Sequence, residues 1–150
     1  MTITEFISSM PEELTTFFEE TDANLTGKGY RCEIKEAKSG PLVSYKKDKK
    51  TLLNYVCRKT GVKIRLYAAN VGHYEHFLDT LPDKMKTEIL KATDCKKLNG
   101  LSCSPSCPGG YVFNLDGSIY KKCRSMAFLH TLSPESCGYI TKFIELETEE

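Results

Sequence analysis

Three cysteines fall within the stretch DCKKLNGLSCSPSCPGG, Asp94 to Gly110, and a fourth follows in IYKKCRS. Cys95, Cys103, Cys107 and Cys123 stand in the spacing C-x7-C-x3-C-x15-C. The loop that carries the first three is made largely of Pro, Gly, Ser, Asn and Lys. Such a loop buries little apolar surface, so it gains most from a crosslink. Four thiolates closing on zinc in a tetrahedron would supply one and would be structural. An iron–sulfur cluster also takes four thiolates and is the alternative metal. Free structural or redox thiols are the third possibility. The spacing is not that of a zinc ribbon. No C-x-x-C pair is present, which argues against thioredoxin-like exchange.

Disulfides are the other use of seven cysteines, and they depend on compartment. The opening MTITEFISSMPEEL has neither a basic n-region nor a long apolar core, so it does not read as a signal peptide. No apolar run approaches the roughly 20 residues that span a bilayer. The expectation is a cytoplasmic protein with no membrane association, in which disulfides do not persist.

The 150 residues are 40% hydrophobic and 27% charged, with a formal net charge of +1. These values describe an ordinary globular chain with no global attraction to nucleic acid.

The local patterns give an α+β fold. SSMPEELTTFFEETDANL reads as one helix, with Ser9 and Glu12 spaced as a capping box and Pro11 in the first turn. Leu14, Phe17, Phe18, Thr21 and Leu25 form its apolar face. Four strands follow as an antiparallel meander with one face on the core: GYRCEIKEA, LVSYKK, TLLNYVCRK and VKIRLYA, with turns at Ser39–Pro41, Lys47–Lys50 and Thr60-Gly61. GHYEHFLDTLP is a short helix, and PDKMKTEILKAT a longer one with Met85, Ile89 and Ala92 on one side. After the cysteine-rich loop, Asp116-Gly117 marks a tight hairpin, to which SMAFLHTL can add a third strand. Ser133 and Pro134 open a last helix with Tyr139, Ile140, Phe143 and Ile144 as its stripe and a fraying acidic end, ELETEE. The expected organisation is an α+β unit over residues 1–92 and a cysteine-rich metal-binding module over 93–150, packed together.

The run RKTGVKIRLYAANVGHYEHFLDTLPDKMKTEILKATDCKKL, then C-x3-C and YKKCRSMAF, resembles a family of short, uncharacterised bacterial proteins of Firmicutes type. The resemblance covers roughly residues 50 to 130. It implies a shared cysteine site at Cys95, Cys103, Cys107 and Cys123, and no activity. Many members carry a further cysteine where this chain has Ala127, which implies a dispensable thiol or the loss of an open, reactive position. The first half more weakly resembles YdhG-like domains, small α+β proteins without an established activity.

Other chemistry is sparser. Cys32 and Cys57 read as small buried hydrophobes. Cys137, near a helix start, is a half-buried residue or a thiol activated by the helix N-terminus. His73 and His76 are spaced for one helix face, either as exposed side chains or as metal ligands. Lys46, Lys47, Lys49, Lys50, Arg58, Lys59, Lys63 and Arg65, interleaved with Tyr45, Tyr55 and Tyr67, could bind single-stranded nucleic acid. A solvated sheet face is the reading favoured over it.

Two functions follow. One is a non-catalytic binding or interaction domain with a structural zinc. The other is a small thiol- or metal-dependent enzyme or redox protein, using an open metal position near His73, His76 or His130. Four cysteines on one metal leave no position for substrate, whereas three thiolates and a water favour catalysis.

Overall fold

A computed structural model describes residues 1–102, 105 and 107–149. The chain starts with α1 (Ile3–Ser9), whose capping box is formed by Thr2 and Glu5. α1 was not expected, and the helix expected from Ser9 starts later, because Met10 precedes Pro11 and is held extended at φ −93°, ψ 163°. Ser9 does not cap; its hydroxyl donates to the Phe6 carbonyl at 2.7 Å. A 3-10 turn (Glu12–Leu14) then leads into α2 (Thr15–Gly27). The expected apolar face of α2 is buried at Phe17, Phe18, Thr21 and Leu25.

Strands β1 (Arg31–Ala37), β2 (Gly40–Lys47), β3 (Lys50–Arg58) and β4 (Gly61–Leu66) form the antiparallel meander. The sheet has a fifth strand. β7 (Leu129–Thr131) pairs with β4 and completes the order β1-β2-β3-β4-β7. SMAFLHTL therefore extends the large sheet and not the hairpin. That hairpin, β5 (Tyr111–Leu115) and β6 (Ser118–Lys122), is a separate two-stranded sheet. Its turn is of the primed type, with Asp116 at φ 50° and Gly117 at φ 86°.

The register sets which residues face the core. Ile34, Val43, Tyr55, Ile64 and His130 lie in one row across all five strands. Phe6, Phe17 and Phe18 surround Tyr55, with ring centres 5.9, 6.4 and 4.9 Å away. Such ring pairs add about 0.5–1.5 kcal/mol each beyond their burial. The next row, Glu33, Ser44, Asn54, Arg65 and Leu129, lies on the other face. Polar groups pair there: Asn54 donates to the Ser44 hydroxyl at 2.7 Å, and Arg65 to Asn54 at 3.3 Å.

Between β4 and the hairpin lie a 3-10 turn (Val71–His73), α3 (Glu75–Leu78) and α4 (Asp83–Lys91). The last helix, α5 (Pro134–Thr148), is capped by Ser133 through Ser136. Phe143 of α5 packs on Phe128 just before β7, with ring centres 5.2 Å apart. Phe128 also meets Phe113 of the hairpin at 5.1 Å. One apolar cluster thus includes residues of the helices, the sheet and the hairpin. Among the described residues, no helix is long and apolar enough to cross a membrane.

Candidate functional site

The cysteine segment is anchored by backbone pairing at the point where α4 ends. Asp94 bridges to Lys122 in antiparallel fashion. The Cys95 amide donates to the Lys121 carbonyl at 2.8 Å, and the Cys123 amide to the Thr93 carbonyl at 2.7 Å. Side chains alternate between faces along an extended segment. Asp94 and Lys122 therefore share one face of this bridge, while Cys95 and Cys123 share the other as diagonal neighbours.

Cys95 is buried. Its sulfur accepts the Gly110 amide at 3.1 Å and is also within reach of the Leu98 and Lys97 amides. The Leu98 amide is the largest influence, and with those of Gly110 and Lys97 it holds the thiol below its ordinary range. This is a cradle of backbone donors that stabilises a thiolate.

The return of the chain is close enough to require glycine. A Cβ at Gly110 would stand 2.0 Å from the Lys122 carbonyl oxygen and 2.8 Å from the Cys95 Cβ. Cys107 repeats the motif on a smaller scale, its sulfur accepting the Gly109 amide at 3.4 Å. The Lys97 ammonium donates to the Cys107 carbonyl, tying the two thiol turns together. The Cys123 sulfur lies 3.4 Å from the Ser125 hydroxyl.

Cys103 lies outside the described residues. Among the described residues, no group of three or more His, Cys, Asp or Glu is gathered closely enough to hold a metal ion. The amides of Leu98 and Gly110 escaped a reading of cysteine spacing.

The remaining thiols are quieter. Cys32 and Cys57 are half-buried beside the core, and burial raises both. Cys137 is half-buried on α5, where burial pushes its thiol up to about 11. Desolvation there outweighs any activation by the helix start. Ala127, where the further cysteine would stand, is fully buried in the apolar core.

His73 and His76 are exposed. His130 is fully buried, with Nδ1 3.0 Å from Glu88 Oε1. Glu88 also accepts the Thr131 amide at 2.9 Å and its hydroxyl at 3.0 Å.

The eight basic residues are spread apart. Lys46 pairs with Glu33 at 2.9 Å on the outer sheet face, and Arg65 donates to the Ser125 carbonyl at 2.8 Å. Lys63 shares that face. Lys47, Lys49 and Lys50 cluster at the β2–β3 turn, while Arg58 and Lys59 lie at the turn between β3 and β4. Tyr45 and Tyr55 are fully buried, so their rings do not form a stacking surface for bases.

Lys47 and Lys50 instead line a cleft of about 370 Å³ together with Tyr30, Tyr67, Arg124 and Glu147. Glu147 belongs to the end of α5 that was expected to fray, and it is buried. Its carboxylate accepts the Asn70 amide at 3.1 and 3.2 Å, the Asn70 side chain at 3.1 Å, and the Tyr74 hydroxyl. Burial raises its pKa despite these donors.

No family model, curated protein or solved structure matches the chain.

Proposed function

We propose that the chain is a non-catalytic binding or interaction domain in which Cys95, Cys103, Cys107 and Cys123 hold one structural zinc ion. The observation that carries this reading is the Cys95 sulfur, cradled by backbone amides on the bridge face that it shares with Cys123. Backbone donors around a sulfur favour the thiolate, which is the form that binds metal. The Cys107 sulfur also accepts a backbone amide, that of Gly109, and its carbonyl is joined to Lys97. Zinc bound there would tie the loop to β6 and contribute to folding.

The thiols outside this set argue against a thiol enzyme, since Cys32, Cys57 and Cys137 are all raised by burial. His130 is committed to Glu88 through Nδ1, and no hydrogen bond joins a histidine to a cysteine among the described residues. Metal analysis of the purified protein with its absorption spectrum tests the reading. About one zinc per chain and a colourless preparation support it. Brown colour identifies an iron–sulfur cluster, and three thiolates with an exchangeable water return the enzyme reading.

A further inference from the structure

Arg124 follows Cys123 and is half-buried, yet it makes no ion pair and no hydrogen bond among the described residues. Its guanidinium carbon lies 5.4 Å from the centre of the Tyr67 ring and 5.7 Å from that of Tyr111. The two rings fix the position of the cation without accepting its N–H donors in conventional hydrogen bonds. A half-buried guanidinium held beside two rings, with donors left over, is suited to receive an anion.

The surroundings of Arg124 add to this. Lys47 and Lys50 line the same cleft, and the Lys47 ammonium is steadied by the Lys28 carbonyl at 2.9 Å. Two acids also line it, Asp48 at the β2–β3 turn and Glu147. Glu147 turns its oxygens to Asn70 and Tyr74 and forms no ion pair with these cations among the described residues, so three cations face two acids in the cleft. The volume suits a small molecule and is too small for a folded partner.

We propose that this cleft binds a small molecule through a phosphate or carboxylate group, taken by the in-plane donors of Arg124 with Lys47 and Lys50 as supporting charge. The inference goes beyond the metal reading and does not depend on it. A purely structural Arg124, serving only to hold Tyr67 and Tyr111, would give no saturable anion binding.

The test titrates the protein as purified, at low ionic strength, with inorganic phosphate and separately with acetate. Nitrogen-15 NMR follows the Arg124 Nε–H and the Asn70 amide. Saturable shifts with either anion support the site, and the anion that saturates identifies the group it prefers. Arg124→Gln is expected to weaken binding by about tenfold or more, the loss of a charge-assisted hydrogen bond. Arg124→Lys keeps the charge without the planar fork and should fall in between. Lys63→Gln, on the outer sheet face, should leave binding unchanged. If Arg124→Gln fails to fold, Lys50→Gln at an exposed position reads the same cleft and should weaken binding about threefold. Overturning results are an absence of saturation with both anions, or equal weakening by Lys63→Gln and the cleft variants.

Discussion

The Lys122 ammonium stands 3.0 Å from the Asp94 carboxylate, across the bridge that joins the end of α4 to β6. The lysine side chain is 8% exposed and the aspartate 74%, so the two halves of the pair are unequal. Lys122 also donates to the Leu90 carbonyl at 3.1 Å and the Ala92 carbonyl at 3.0 Å. Carbonyls at a helix end lack intrahelical donors, and a cation there is favoured. A single buried lysine thus caps α4 and sets the strand on which Cys123 follows.

Lys122→Met should therefore destabilise the protein by about 1–3 kcal/mol, because buried carbonyls lose their donor. Asp94→Asn removes only an exposed partner and should cost less than about 1 kcal/mol. Urea denaturation of the two variants checks this. Equal losses would show that the ion pair, and not the capping of α4, carries the energy.

At the hairpin turn, Gly117 sits at φ 86° with no atom within 4 Å of where a Cβ would be. A side chain there meets backbone strain and no clash. Gly117→Val should cost more than the roughly 1–2 kcal/mol that ordinary residues lose in the left-handed region, since β-branching adds to it. Asp116→Asn, which the turn accepts, should cost less. Thermal melts decide, and similar losses for both would contradict the turn assignment.

Gly110 is constrained differently. An added Cβ meets the Lys122 carbonyl oxygen at 2.0 Å, and that backbone atom is fixed by the hairpin. Gly110→Ala should push the loop off β6 and remove the amide from the Cys95 sulfur. The expected readout is faster modification of Cys95 by a thiol reagent, with the β1–β4 amides unchanged in hydrogen exchange. A variant as protected as the wild type would contradict the close approach.

Two carboxylates should impose opposite pH slopes. Burial alone would raise Glu88, but the His130 ring, then the Thr131 amide and hydroxyl, outweigh it and hold Glu88 below its ordinary 4.5. Its contribution is present above that unfolded value and is lost as the pH falls through the lowered one. Glu147 is raised by burial, so its contribution is present below the unfolded value and is lost as the pH rises through the raised one. Against wild type, the harm done by Glu88→Gln should shrink on acidification. The harm done by Glu147→Gln should shrink as the pH is raised. Denaturation midpoints across the acid range measure both, and parallel slopes would contradict the assignment.

Much of this fold was legible because its signals are local. Asp116-Gly117 names its own turn, and the spacing of Phe17, Phe18, Thr21 and Leu25 names the buried side of α2. The errors come where the partner is remote or a neighbour intervenes. Pro11 holds Met10 extended, so the helix expected from Ser9 starts late, as a 3-10 turn at Glu12, and the short α1 before it was not expected. β7 finds β4 through a pairing of Ile64 with His130 that no hairpin signal announces. Glu147 reads as part of a charged tail until Asn70 and Tyr74, more than seventy residues earlier, supply its donors. The cysteine spacing was visible, but the amides that shape Cys95 come from backbone, and backbone donors leave no mark in residue type.

Elemental analysis joined to thiol titration tests for one zinc ion on Cys95, Cys103, Cys107 and Cys123. About one zinc per chain is expected, with protected thiols at these four positions that are released together with the metal on chelation or acidification, since protons compete for the thiolates. Cys123→Ala should lose the metal and loosen the cysteine loop and its bridge to β6, while the shared apolar core that joins β1 to β4 with β7 and α5 stays folded. A metal-free preparation in which Cys95, Cys107 and Cys123 are ordered, with their sulfurs apart and freely titrating, would contradict the zinc site.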